Sequence, residues 1–375
     1  MNFELSEEQK LLRDSVERFS RDHYEFPRWR ARVASGEGFD RGLWAAMAEL
    51  GWLTLTVPEA EGGYGGSALD TMLVMEGVGR ALMLEPYVGA GVIAPALLPH
   101  LAAGRGPGLL KRIMAGGAVL ALADAEPRGR YVASAVATTA QWRDGAYVLT
   151  GLKSHALDGA VADLFVIPAR TAGAVGDEAG ISLFLVEKSA PGLGVQGFRA
   201  MDYRQNAALT LDAVRVGEDA LIGPIGEGFA LLREALDLVI VARLAEALGA
   251  MEAAFAQTLE YLKSRRQFGQ AIGGFQALQH RAVDMAIACE EARSMTYLAT
   301  LSLKADPLER ARRIAAAKVR VGQTSLYVAR QAVQLHGGIG FSDELAIGHY
   351  LKRLTMIDLA FGDVTHHRRA FARSA

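Results

Sequence analysis

The sequence predicts an α+β fold in three segments: an N-terminal all-α domain over 1–116, a middle antiparallel β domain over 117–223 and a C-terminal four-helix bundle over 224–375. Three observations predict it. Helical patterning fills the first hundred residues. Near Gly117 it gives way to short β-branched and aromatic runs separated by turn residues. After the turn GPIGEGF, residues 223–229, helical patterning resumes almost to the end.

Ser6 with Gln9 three residues on is a capping box that opens an amphipathic helix to about His23. A second helix runs from about Asp40 to Leu50, with Gly51 as its stop. The glycine-rich stretch Val57–Ser67, VPEAEGGYGGS, lacks the lysine of a phosphate loop and any β-α-β context, so it reads as a connection. Helices follow over Thr71–Leu84 and Leu109–Met114. In the middle segment AVLALA, AYVLTG, DLFVIPA, ISLFLVE and AALTLDAVRV read as strands, and Asp144-Gly145 reads as a hairpin turn. Four long helices then make the bundle, at about Phe229–Arg265, Gln276–Lys304, Leu308–Leu335 and Asp343–Arg368.

A net charge of −2 argues against a nucleic-acid partner. The apolar fraction of 51% points to extensive helix burial or subunit contact. The most apolar helix, about Leu236–Ala256, is interrupted by Arg243, Glu246 and Glu252, so no membrane span is expected. The N-terminus does not show the layout of a secretory signal, and a cytoplasmic protein is the expectation. The lone cysteine, Cys289, lies in an apolar helical run and reads as a buried structural thiol. No metal site is expected, and the histidines of THHRR read as a helix end.

Two motifs carry chemistry. Arg265, Phe268, Gly269, Ile272, Phe275, Gln276 and Gln279 form R-x-x-F-G-x-x-I-x-x-F-Q-x-x-Q. The guanidinium fork of Arg265 suits a pyrophosphate, and the two phenylalanines offer flat apolar faces to an adenine or a partner helix. Gln334-Leu335-His336-Gly337-Gly338-Ile339-Gly340-Phe341 is the second: glutamine able to pair with ribose or base edges, then backbone without side chains. Taken locally, it also reads as a helix C-cap and turn. Both motifs resemble the C-terminal domain of the acyl-CoA dehydrogenase family, and the segment order resembles that family over nearly the whole chain. The resemblance implies FAD as cofactor and an acyl-CoA thioester as substrate. It further implies that Arg265, Phe268, Phe275, Gln276, Gln334, Gly337 and Gly338 reach across a dimer interface to the ADP end of a neighbour's FAD.

Elsewhere the family pattern fails. A glutamate removes the α-proton in such enzymes while flavin N5 takes the β-hydride. At its two usual positions this chain has Phe361 and Val239, and Ile240 replaces an arginine that helps hold CoA. The family's T-E-P-x-A-G-S-D becomes Ala125-Glu126-Pro127-Arg128-Gly129-Arg130-Tyr131, and W-x-T becomes His155-Ala156-Leu157. No catalytic residue is therefore assigned. Contacts to a chain's own flavin ring are degraded, whereas those for a neighbour's FAD are intact. In this the chain resembles the small subunit of pimeloyl-CoA dehydrogenase and related subunits of heteromeric steroid side-chain enzymes. That resemblance implies an α2β2 assembly with a homologous subunit, and the family implies an electron-transfer flavoprotein as acceptor. Two alternatives stand: a homotetramer with an unusual base among Asp237, Glu246, Asp358 and Asp363, for which Arg243 shares the first bundle helix, or a homologue that binds no flavin.

Overall fold

The computed structural model describes residues 4–373 and packs as two compact units. One comprises the described part of Met1–Ala34, Ala68–Met83 and the described part of Ile240–Ala375; the other comprises Ser35–Ser67 and Leu84–Val239.

In the first unit α1 (Glu7–His23) starts at Ser6, whose side chain accepts from the Gln9 amide while the Gln9 side chain accepts from the Ser6 amide. Thus the predicted capping box is formed. A short helix that the sequence reading did not separate, α2 (Phe26–Ser35), follows, and Trp29 on it donates its indole N–H to the Leu82 carbonyl at 2.8 Å. Helix α4 (Ala68–Arg80) lies against α1 and α7 through glycines. A Cβ at Gly77 would sit 2.0 Å from a Val16 methyl. One at Gly79 would sit 1.9 Å from the Glu246 carbonyl oxygen, and one at Gly249 would sit 1.8 Å from the Glu76 carbonyl oxygen. Here the α4 and α7 backbones touch with nothing larger than hydrogen between them.

The bundle comprises α7 (Gly228–Ser264), α8 (Gln276–Ser302), α9 (Pro307–His336), α10 (Ala346–Leu359) and α11 (Val364–Arg373). The predicted fourth helix is thus two helices. Phe361 at φ 55° and Gly362 at φ 108° break it, and Asp363 restarts it by accepting from the His366 amide at 2.8 Å. Lys318, buried on α9, caps the broken end by donating to the Ile357 carbonyl at 2.6 Å and the Asp358 carbonyl at 3.1 Å. His367 adds a third tie, donating from Nε2 to the Phe361 carbonyl at 3.0 Å.

In the second unit, α3 (Arg41–Glu49) is capped by Asp40 and stopped by Gly51 at φ 76°. The glycine-rich loop after it spends its amides on its own backbone: Tyr64, Gly65 and Gly66 donate to Thr54, Val57 and Leu55. No phosphate cradle remains there. A π-helical turn, Val88–Ile93, leads into α5 (Ala94–Leu97), and α6 (Gly106–Met114) closes the helical part.

Eight strands form one sheet: β1 (Leu120–Leu122), β2 (Thr139–Arg143), β3 (Ala146–Ala156), β4 (Leu164–Arg170), β5 (Ile181–Glu187), β6 (Leu193–Arg199), β7 (Gln205–Val216) and β8 (Leu221–Ile222). The order is β6-β7-β3-β2-β4-β5-β8, with β1 beside β4. Pairing is antiparallel except where β4 meets β1 and the end of β2. Asp144 (φ 49°) and Gly145 (φ 75°) make the predicted tight turn between β2 and β3. β2 and β6 carry mostly exposed side chains, which hid them from a hydrophobicity reading. No helix among the described residues is long and apolar enough to cross a membrane.

Candidate functional site

Where α7 ends, the chain turns through a two-residue ribbon, β9 (Arg266–Gln267) against β10 (Gln270–Ala271), before α8. Phe268 (φ 52°) and Gly269 (φ 83°) form its tip. The ribbon is closed at its base by the Ile272 amide donating to the Arg265 carbonyl at 2.8 Å, and the Gln279 side chain donates to the Gly273 carbonyl at 2.9 Å. The spacing of the first motif is therefore the spacing of a helix end, a hairpin and a new helix start.

This geometry puts the polar and aromatic groups outside. Phe268 is 90% exposed, and its ring meets that of half-buried Phe275 edge-on at 6.1 Å. Arg265 is exposed, and its guanidinium has no partner among the described residues. Gln276 is exposed at the first position of α8. An exposed aromatic and an unpartnered arginine side by side are what a ligand or a second chain would cover.

The second motif lies at the end of α9. Gln334 is exposed in the last turn, and Gly337 ends the helix with φ 66°. A Cβ added at Gly337 or Gly338 would meet nothing within 4 Å, so this backbone faces open space. Phe341, 79% exposed, and Ile339 extend the apolar surface. A contact not foreseen from sequence joins the two motifs: Tyr261, one turn before Arg265, stacks on His336 with centroids 4.4 Å apart and planes 25° apart. The structure thus brings all seven motif residues to one end of the bundle. Both stacking residues were visible in the sequence, but a pair 75 positions apart leaves no local signal.

These residues fit the distal end of a dinucleotide. Arg265 would face its phosphates, the phenylalanine rings offer stacking surface, and the bare glycine backbone allows close approach.

The sheet holds the positions that the family resemblance assigns to the flavin ring. Ala125 lies opposite His155 in an isolated antiparallel bridge, and the Ser154 amide donates to the Ala125 carbonyl at 2.8 Å. Phe198 lies 6.1 Å from the His155 ring. Ala125 and Leu157 offer no side-chain hydrogen bond. Glu126 is buried and structural: it accepts from Lys153 Nζ at 2.7 Å and from the Ala137 and Thr138 amides. Burial opposes its charge, yet the Lys153 ammonium and these donors hold its carboxyl below the ordinary range.

Two of the acidic candidates for a replaced base, Glu246 and Asp363, are engaged elsewhere. Glu246 is fully buried, accepting from Arg243 on its own helix and from Arg353 Nη1 at 2.7 Å. Arg353 also donates to the Met83 carbonyl at 3.1 Å. Two guanidiniums on one carboxylate tie it in place as part of the α7–α10 packing. Asp363 caps α11. Burial raises the Asp358 carboxyl above its ordinary range despite Lys318 nearby. Asp237 and Val239 are buried on α7.

Comparison with known proteins agrees with this architecture. Models of the acyl-CoA dehydrogenase N-terminal, middle and C-terminal domains match residues 6–101, 121–214 and 226–375. The 3-sulfinopropanoyl-CoA desulfinase of Paraburkholderia xenovorans is 30% identical over 96% of this chain and 94% of its own. The structure of the ChsE4-ChsE5 complex from Mycobacterium tuberculosis superposes with a TM-score of 0.90 at 26% identity, covering 100% of this chain and 98% of that one. PigA, solved as an FAD complex, gives the same TM-score, identity and coverage. Fold and sequence together define an oxidoreductase of the flavoprotein class that acts on CH–CH bonds. The chain belongs to the acyl-CoA dehydrogenase family.

Proposed function

We propose that this chain is the subunit of a heteromeric, FAD-dependent acyl-CoA dehydrogenase that lacks the catalytic base and lends its arm to the cofactor of a homologous partner subunit. One observation carries the reading: the arm of Arg265, Phe268, Phe275, Gln276, Gln334, Gly337 and Gly338 is complete and outward-facing, while the ring-side and base positions hold Ala125, Leu157, Val239 and Phe361. A symmetric homodimer would have every flavin ring site impaired.

FAD, when bound, supplies the hydride acceptor for dehydrogenation of the acyl thioester. This chain's own residues then have three tasks. Arg265 neutralises charge at the phosphates. Phe268 and Phe275 cover apolar faces and exclude water there. The 337–338 backbone lets the partner approach without a steric penalty. The α-proton goes to a carboxylate of the partner, and an electron-transfer flavoprotein takes the electrons onward. The likeness to a structure of a two-component complex supports the heteromeric assembly. The small-subunit resemblance to pimeloyl-CoA and steroid side-chain enzymes points to a bulky or dicarboxylic acyl group and to the cytoplasm.

Flavin absorbance per chain tests this, for the chain purified alone and co-expressed with a homologue carrying the base. Little flavin alone and about one FAD per heterodimer together is the expected result. Full occupancy and turnover by the chain alone would establish the homotetramer instead. No flavin in either preparation would leave a structural homologue.

A further inference from the structure

The Tyr261–His336 stack lies at the junction of the two motifs. Tyr261 is half-buried and one helical turn from Arg265, and His336 is buried and adjacent to Gly337. The Tyr261 carbonyl accepts from the Arg265 amide at 2.8 Å, so the ring and the guanidinium share the last turn of α7. His336 immediately precedes Gly337. Its Nδ1–H donates to the Ala332 carbonyl at 2.8 Å, which fixes the ring on the last turn of α9. The turn that follows folds over it: a Cβ at Gly340 would lie 3.1 Å from the His336 Cβ and 2.7 Å from the Val333 carbonyl oxygen.

We infer that Tyr261 and His336 are positioning residues that hold Arg265 and the 337–340 backbone in one geometry for a shared dinucleotide; the inference rests on the arm reading proposed above. Beyond Tyr261 the hairpin is held by two residue pairs, the Ile272–Arg265 and Gln279–Gly273 bonds, the Phe268–Phe275 contact and the close approach of Gly273 to the Leu262 carbonyl. The 337–341 turn is held by α9, by its own backbone and by α10, where a Cβ at Gly348 would lie 3.3 Å from the Gly340 carbonyl oxygen. The stack joins them directly, beside the Arg281–Gln331 hydrogen bond at 3.4 Å between α8 and α9. Burial holds the His336 imidazole below its ordinary pKa, so a neutral ring faces the tyrosine at neutral pH. A dinucleotide spanning both motifs gains from a preset separation because it need not order two loops on binding.

The test measures dissociation constants for FAD and for ADP by calorimetry on the flavin-free assembly, in wild type, Arg265→Ala, His336→Leu, His336→Phe and the double variant Arg265→Ala/His336→Leu. His336→Leu is expected to weaken both ligands about tenfold while leaving the visible spectrum of bound flavin unchanged, because the ring lies at the other end of the cofactor. His336→Phe keeps an aromatic face and recovers most of the affinity. In the Arg265→Ala background the histidine change adds less than its single-variant loss. Unchanged affinity in His336→Leu, or losses that simply add, would overturn the inference. If Arg265→Ala itself leaves both affinities unchanged, the arm reading fails. If only Arg265→Ala weakens binding, the inference alone fails. Should His336→Leu not assemble, Tyr261→Leu set against Tyr261→Phe makes the same comparison from the half-buried side of the stack.

Discussion

Two ends of the same helical unit treat their side chains in opposite ways. At the arm end, Phe268, Phe341 and Arg265 stand exposed, and the Arg265 guanidinium has no partner among the described residues. At the α10–α11 break and beside Glu246, charged groups are buried and tied down: Lys318 on two carbonyls, His367 on a third, Glu246 between two arginines. The first region leaves its groups open to be covered from outside, and the second spends them on its own fold. Substitutions at the first should therefore cost ligand binding and not folding, and at the second the reverse.

The largest effect should come from Glu246→Gln. It leaves Arg243 and Arg353 buried with one carboxylate fewer, and breaking such a pair costs about 3 kcal/mol. Urea unfolding would show the loss. A Glu246→Gln protein that unfolds like wild type yet stops thioester turnover would instead make Glu246 the base and erase the contrast.

Lys318→Met comes next and carries a pH signature. Burial pushes the Lys318 amine down to about 7. The unfolded chain then holds more protons than the folded one from about pH 7 up to about 10.4, so stability rises with pH through that window. Below it the buried ammonium imposes its full penalty. Removing the amine strips two carbonyls of a donor, a loss of about 1–2 kcal/mol at pH 9. At pH 6 the loss should be smaller, because the desolvation penalty disappears with it. An equal loss at both pH values would show that the amine does not titrate there.

The smallest stability change is expected at the arm. Phe268→Ala removes a ring that is 90% exposed and should shift unfolding by no more than about 0.5 kcal/mol. The same variant should lower FAD content in the co-expressed assembly. A large loss of stability would mean that the ring is part of this unit's own packing.

Much of the fold was legible because local rules carried it. The Ser6–Gln9 capping box, the Asp144-Gly145 turn and the long bundle helices each follow from a few neighbouring residues. The break at Phe361 was not legible, since the apolar periodicity runs on through it. It depends on Lys318, more than forty residues earlier, supplying the missing cap. β2 and β6 were missed because their exposed faces carry little hydrophobic signal. At the candidate site, motif spacing singled out the residues proposed for the arm but could not show that both motifs meet. That meeting depends on two rings separated by the whole length of α8 and α9. Nor did the sequence show that Glu246 is spent on an arginine from α10.

The crossing of α4 and α7 has a consequence for how this chain assembles. Gly79 rests on the carbonyl of Glu246 and Gly249 on that of Glu76, and each glycine stands three residues after the glutamate on its own helix. The contact is therefore reciprocal, like two notched rods fitted crosswise. Moving either rod by one residue would bring a side chain into a notch that admits only hydrogen. Such a joint has one seating, set by shape alone and independent of the charges around it.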